Sequence, residues 1–357
     1  MPVLLDLTGA RTSDVAIGTS PISELQACLH SLAEPDHHLE SRTWLVKVDQ
    51  SLSQDLRERL TRFAPLWARR RCRLLLPMTT LDARVEQEID QVLRLPAGSF
   101  FEAAAHTIHG GSFTTQNLYH ETERQEDFVA ACEARSFSRG ELARTLVDDA
   151  EGFRRTLVQT LTDCVDEFFG KEWDRIRERL RDEVEQTRVK LRGLTLAELI
   201  SSVSPAAQPV QAGRAVRFDK LQNLRVAICG TRTFLVPSIH GRPHLVVRGD
   251  PGYPVVVHYP VAWRNEPPSI GEMQHRLSVL SDPARLALCR HLVNEAITTS
   301  DLARRMNMTR PQVSRHLSKL RSVGLLRSEP SGRYVYHRID VQFLMQIGVE
   351  LLRAIVR

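Results

Sequence analysis

Between Thr299 and Leu325 the local signals leave the chain few ways to fold. Thr299-Ser-Asp-Leu-Ala-Arg-Arg-Met306 reads as a short helix, capped by Thr299 or Ser300. Asn307-Met308 makes a turn. Thr309 caps a second helix, Arg310 through Ser322, with Pro311 in its first turn, where a helix has no use for the missing N–H. Gly324 ends it. Val313, Leu317 and Leu320 recur at i, i+4 and i+7, so they share one face and must pack on Leu302 and on earlier helices. The opposite face presents Pro311, Gln312, Ser314, Arg315, Ser318 and Lys319.

The flanks extend this pair into a winged helix-turn-helix over 272–357. A helix over about 272–281 precedes Ser281-Asp282-Pro283, and Ala284 through Leu292 forms the next. Leu325–Ser328 and Tyr334–Arg338 read as strands, joined at a wing tip by Glu329-Pro-Ser-Gly-Arg333. Val341–Val356 is a final apolar helix. Charge separates along the same line. From Glu272 onward there are 14 basic and 7 acidic residues, whereas the first 271 hold 34 and 36. A basic module on a near-neutral body is an electrostatic footprint for nucleic acid, and the helix-turn-helix makes double-stranded DNA the expected partner. With 43 Arg against 5 Lys, any one arginine says less than its placement.

A helix of this size enters the major groove, where Gln312 can pair with adenine and Arg315 with guanine. Thr309, Ser314 and the exposed amides of the first turn suit phosphate. Ser318, Lys319 and Arg310 extend that surface, and Arg333 at the wing tip reaches a neighbouring phosphate or the minor groove. His316 sits at the edge of the face, as a packing residue or a DNA contact. Arg310 and Arg321 are phosphate contacts or solvated charges. One of Tyr334 and Tyr336 packs and the other meets phosphate; Tyr336 is taken into the DNA-binding set.

The body ahead of this module is of a different kind. Its 357-residue host is 42% hydrophobic and 25% charged, an ordinary globular balance that argues against disorder or collagen. At about 100–200 residues per domain the length suggests two or three domains. No apolar run approaches the roughly 18–20 residues of a membrane span, and the start, Met1-Pro2-Val3-Leu4-Leu5-Asp6, does not read as a secretory signal. Six isolated cysteines suggest neither a disulfide framework nor a zinc knuckle. The expectation is a soluble, cytoplasmic protein. Helices are expected over about 21–33 and 53–68 and through 140–192, where Gly170 ends or bends the run. Residues 215–260 carry four short β-rich runs with Gly/Pro punctuation, read as an antiparallel meander. The fold class is α+β: a mainly helical N-terminal region (1–264) with a small antiparallel meander, a linker at 265–271, then the winged helix-turn-helix.

Ser281-Asp-Pro-Ala-Arg285, the helix from Thr299, the string Arg310-Pro-Gln-Val-Ser-Arg-His-Leu-Ser-Lys-Leu-Arg-Ser-Val-Gly-Leu325 and Gly332-Arg-Tyr-Val-Tyr336 resemble the ArsR-type family of bacterial repressors over about 80 residues. The resemblance implies a homodimer on inverted-repeat operators, with the interface built by the first and last helices. That places Phe343, Leu344, Ile347, Leu351, Leu352 and Ile355 against a second subunit. The front of the chain is similar to an uncharacterised domain found ahead of ArsR-type helices in long bacterial regulators. The similarity rests on Ser20-Pro21 and its helix, Trp173, Phe218-Asp219-Lys220-Leu221, Phe234-Leu-Val-Pro-Ser238 and Tyr259-Pro260.

Metal sensing at that family's known positions is not expected. The 299–306 helix has no cysteine, and from Val341 onward there is no His or Asp. Cys289 and His291 lie two apart, a poor ligand spacing. His106-x-x-His109 with Glu102 shares a helical face but reads as ordinary histidines, so no metal and no cofactor is expected. No G-x-x-x-x-G-K, G-x-G-x-x-G, G-x-S-x-G or H-E-x-x-H is present, and Asp148-Asp149, Asp163, Asp166 and Glu167 read as solvated charge rather than catalytic pairs. The leading expectation is a DNA-binding transcriptional regulator, not an enzyme, with an unknown small-molecule effector as a candidate partner whose existence the sequence leaves open. The alternative is an N-terminal enzyme or small-molecule-binding module that the winged helix only recruits.

Overall fold

The computed structural model describes residues 3–35, 38, 41–111, 113–204, 207–218, 224–261, 270–331, 334–341, 344–345, 347–348 and 351. Its contacts divide the chain into two units, Met1–Ala262 and Trp263–Arg357. Of the expected linker, residues 265–269 lie outside the described residues, while Ile270 and Gly271 already belong to the helix that follows. Among the described residues no helix is long and apolar enough to cross a membrane.

The N-terminal unit opens with β1 (Val3–Asp6) and β2 (Val15–Ile17), followed by α1 (Pro21–Ala33), α2 (Arg42–Ser51), α3 (Gln54–Phe63), α4 (Val85–Arg94) and α5 (Ala97–His109). Then come α6 (Thr122–Glu133), α7 (Phe137–Asp148), α8 (Ala150–Cys164), α9 (Gly170–Leu191) and α10 (Leu196–Ser202). It closes with β3 (Ala207–Val210), β4 (Ala215–Phe218), β5 (Leu224–Ala227), β6 (Thr233–Ser238), β7 (Val246–Arg248) and β8 (Val255–Pro260). Ser20 caps α1 by accepting the Ser23 amide, and Pro21 occupies its first turn, as the sequence implied. Residues 64–66 continue α3 as a 3-10 turn rather than as α-helix. Between α8 and α9 the backbone neither stops nor turns away: Val165–Phe169 form a π-helical turn that runs into α9. Gly170 is required there because a Cβ would stand 2.9 Å from the Val165 carbonyl oxygen.

The four expected runs appear as β5 to β8 but do not form a meander, and β1 to β4 were not expected. One sheet runs β3-β4-β1-β5 and the other β2-β6-β8-β7. The N-terminal strand β1 inserts between β4 and β5, antiparallel to the first and parallel to the second. In the second sheet β6 is parallel to both β2 and β8, and only β7 pairs antiparallel with its neighbour. The physical signal was present: β6 is buried at every position and β8 at all but the last. Continuous burial without alternation marks strands covered on both faces, typical of parallel pairing. Two cores result. One is helical, around Phe63, Trp67, Phe100 and Phe153; the other joins the sheets to α9 and α10 through Val3, Val184, Leu199, Val257 and Tyr259.

The C-terminal unit comprises α11 (Ile270–Leu280), α12 (Pro283–Asn294), β9 (Ile297–Thr298), α13 (Thr299–Arg305), α14 (Arg310–Ser322), β10 (Leu326–Ser331) and β11 (Tyr334–Ile339). The described residues of 341–351 are helical. The three strands form one antiparallel sheet in the order β10-β11-β9. Two residues of β9 are too short for a sequence pattern, and the cap of α13 also differs from the expected one. Thr298, not Thr299 or Ser300, accepts the Asp301 amide.

Candidate nucleic-acid interface

Helix α14 is held from below and from its ends. Val313, Leu317 and Leu320 are buried in one core with Leu288, Leu292, Leu302 and Ile339. At the N-terminus Thr309 and Gln312 close a capping box. The Thr309 amide and hydroxyl donate to Gln312 Oε1 at 2.8 and 3.0 Å, and Thr309 Oγ1 accepts the Gln312 amide. At the C-terminus Gly324 adopts φ +82°, a left-handed conformation that favours glycine.

This seating fixes which side chains face outward. Thr309, Arg310, Pro311, Gln312, Ser314, Arg315, Ser318 and Lys319 are exposed, and His316 is half-buried. Among the described residues no carboxylate lies in ion-pair range of Arg310, Arg315 or Lys319. The cations around them are differently placed. Arg304 and Arg305 on α13 pair with Asp301 and Glu295, Arg327 pairs with Asp340 at 2.6 Å, and Arg321 donates to the Ser328 hydroxyl. Among the described residues, Arg310, Arg315 and Lys319 thus stand on the outer face of α14 without a carboxylate partner, as does exposed Arg338 on β11.

Three expected contacts take a more specific form. Gln312 Oε1 is engaged in the capping box, so a bidentate contact to adenine requires that box to open. His316 lies within electrostatic reach of Asp282, whose carboxyl is held below its ordinary range mainly by the Arg285 amide. Tyr336 is half-buried, while Tyr334 is 62% exposed. The inward positions of β11 are His337 and Ile339. His337 bonds to Thr299 Oγ1 at 3.0 Å and to Ser328 Oγ at 2.9 Å, tying the wing to α13. Burial, with the Arg321 charge, keeps its pKa below the usual value. Sequence reasoning missed this residue, although its place two before buried Ile339 was a signal. Arg333 lies outside the described residues.

Of the six residues assigned to a dimer interface, Phe343, Leu352 and Ile355 lie outside the described residues. Ile347 is only 4% exposed and is already covered by its own chain. Leu344 and Leu351 are half-buried against the same core. Val341 and Met345 are exposed.

In the N-terminal unit four of the carboxylates singled out above serve the backbone or pair with a cation. Asp149 caps α8 through the Gly152 amide at 2.7 Å, Glu167 accepts the amide and hydroxyl of Ser53 at the start of α3, and Asp163 pairs with Arg59 at 2.6 Å. Glu102 accepts the Asn117 amide. A cavity of about 740 Å³ opens between α1, α2 and α3, lined by Leu29, Leu45, Leu60 and Trp67, with Asp49 and Arg57 among its polar groups. A buried polar junction joins helices to sheet: Glu24 accepts the Ile239 and His240 amides, and His240 donates from Nε2 to Glu172 at 2.6 Å. Burial pushes the Glu172 pKa up, but the bonds from His240 and Arg175 outweigh it and hold the carboxyl at about 2.

Comparison with known proteins agrees with this division. Residues 280–329 match a Helix-turn-helix domain. Over 72 residues the chain is 26% identical to the HTH-type transcriptional regulator KmtR of Mycobacterium tuberculosis, covering 20% of this chain and 55% of that protein. It therefore spans little more than half of KmtR. It is 25% identical over 72 residues, again 20% of its length, to the transcriptional repressor SdpR of Bacillus subtilis, covering 80% of that protein. An ArsR-like transcriptional regulator from Rhodococcus sp. RHA1 is 28% identical over 23% of this chain and 78% of that one, with a TM-score of 0.22. Residues 1–265 match the Family of unknown function (DUF5937). The chain belongs to that family and carries an ArsR-type helix-turn-helix behind the family's domain.

Proposed function

We propose that the chain is a DNA-binding transcriptional regulator that acts as a homodimer on inverted-repeat operators and represses its targets. The observation that carries this reading is the outer face of α14, where Arg310, Arg315 and Lys319 stand exposed without carboxylate partners among the described residues, on a helix whose other face is seated in the core. In the major groove Arg315 reads a guanine edge, while Thr309, Ser314, Ser318 and the first-turn amides hold phosphates. Lys319 and the wing residue Arg333 anchor the backbone, with Arg310, His316 and Tyr336 at the margins. Pro311 fixes the entry of the helix. The similarity to named regulators supports the same reading, as does the matched Helix-turn-helix domain.

Pairing of two copies uses the first and last helices of the C-terminal unit. Leu344 and Leu351, with exposed Val341 and Met345, support that face; Phe343, Leu352 and Ile355 belong to the same proposal. The N-terminal unit supplies the effector site, and the cavity between α1, α2 and α3 has the size and apolar lining of a small-molecule pocket.

Arg315→Ala tests the reading. An operator selected from randomised duplexes is bound about 5–150-fold more weakly by the variant, or roughly 1–3 kcal/mol, with discrimination relaxed at one base position. Thermal unfolding stays unchanged because Arg315 is exposed. Equal affinity for wild type and variant removes Arg315 from the readout.

A further inference from the structure

Three histidines far apart in sequence meet in the N-terminal unit: His30 near the end of α1, His38 just beyond it, and His244 between β6 and β7. Each offers one ring nitrogen, and these three atoms lie within 4.8 Å of one another. The rings are set edge to face, with centroids 4.9, 5.1 and 5.3 Å apart. His30 and His38 are buried and His244 is half-buried, so the cluster has a side open toward solvent.

His30 shows the clearest preparation. A carbonyl oxygen can only accept, so the 3.0 Å bond between His30 Nδ1 and the Trp67 carbonyl places the ring proton on Nδ1. That leaves a lone pair on Nε2, and this buried atom has no hydrogen-bond partner among the described residues. A buried polar atom left without a partner is costly. Metal-binding histidines characteristically donate their other nitrogen to a backbone carbonyl in this way, which fixes ring and tautomer. The positive charge of Arg71 lies within electrostatic reach of His30. Arg71 is itself buried, and the charge of Glu24 answers it.

We propose that His30, His38 and His244 form a binding site for a divalent first-row transition ion, with zinc the first to test. Three imidazole ligands suit zinc, nickel, cobalt or copper and disfavour calcium and magnesium, which take oxygen ligands. Bonds of about 2.0–2.1 Å to zinc bring ligating nitrogens to roughly 3.3 Å apart, so small ring rotations close the present triangle. Three protein ligands leave a fourth position for water. The ion would bridge α1 to the β6–β7 connection, more than 200 residues away.

The test uses the full-length chain stripped with a chelator and contains no DNA, so its outcome is independent of the regulatory reading. Zinc is titrated against a chromogenic chelator, and cobalt is followed by its visible absorption. The expected result is one tight equivalent per chain, a cobalt spectrum of a four- or five-coordinate nitrogen site, and a rise in Tm on loading. His30→Ala and His244→Gln should each weaken that equivalent by about 100-fold or more, since changes to outer-shell partners alone cost about 10–100-fold. His106→Ala should leave it intact. His244 is half-buried, so His244→Gln decides the matter if His30→Ala fails to fold. No tight equivalent in the wild type, or one that survives His244→Gln unchanged, overturns the proposal.

Discussion

Replacing Leu320 with alanine destabilises the C-terminal unit by about 2–5 kcal/mol and abolishes DNA binding near 37 °C, although no outward-facing atom of α14 changes. Leu320 is 0% exposed and shares its core with Val313, Leu317, Leu302 and Ile339. The truncation loses transfer free energy and leaves a cavity that α12, α13 and the wing sheet cannot fill without moving. Small domains are stable by only about 5–15 kcal/mol, so the loss is a large fraction of the whole. Calorimetry of the full chain should show one transition falling by roughly 4–8 °C for each kcal/mol lost, while that of the N-terminal unit stays in place. A change below about 1 kcal/mol would mean that α14 is not seated on this core.

The second large effect belongs to Glu24, which is 1% exposed on α1. Its Oε1 accepts the Ile239 amide at 3.1 Å and the His240 amide at 2.8 Å, fastening α1 to the turn that follows β6. Glu24→Ala leaves two buried N–H groups without an acceptor, each costing about 1–3 kcal/mol, and so lowers N-terminal stability by roughly 2–6 kcal/mol. It also removes the negative charge facing buried Arg71. Glu24→Gln keeps an oxygen at the same position and should cost clearly less than the alanine variant. Urea unfolding of the two variants checks the order. Equal losses would assign the stabilisation to charge rather than to the two amide bonds, and no loss in either would contradict the junction itself.

The sequence was most legible where structure is made by near neighbours. Ser20-Pro21 starts α1, Thr309 and Gly324 bound α14, and the spacing of Val313, Leu317 and Leu320 shows which face is buried. The pairing of strands was not legible, because β1 and β2 meet partners more than 200 residues later. No local period carries that information. Strand β9 is shorter than any pattern, and the α13 cap is Thr298 rather than Thr299 or Ser300. On the outer face of α14, residue types showed that Gln312 and Arg315 are outward, but only geometry shows Gln312 engaged in a capping box. His30, His38 and His244 were invisible for the reason the strands were: the fold brings them together, not their spacing. The His106–His109 pair was the visible spacing and was read as ordinary histidines; the His109 ring packs beside Phe113 at a tilt.

Salt-titrated binding of the purified full-length chain tests the central claim most directly. The duplexes are a selected operator and a scrambled sequence of equal length. The account predicts tight, selective binding, with log K falling linearly against log salt by about 0.9 per phosphate neutralised, so that Lys319→Ala lowers the slope by about one. Selectivity should persist as the non-specific component is screened away. Equal, weak binding to both duplexes at every salt concentration would contradict the assignment of α14 as a reading helix.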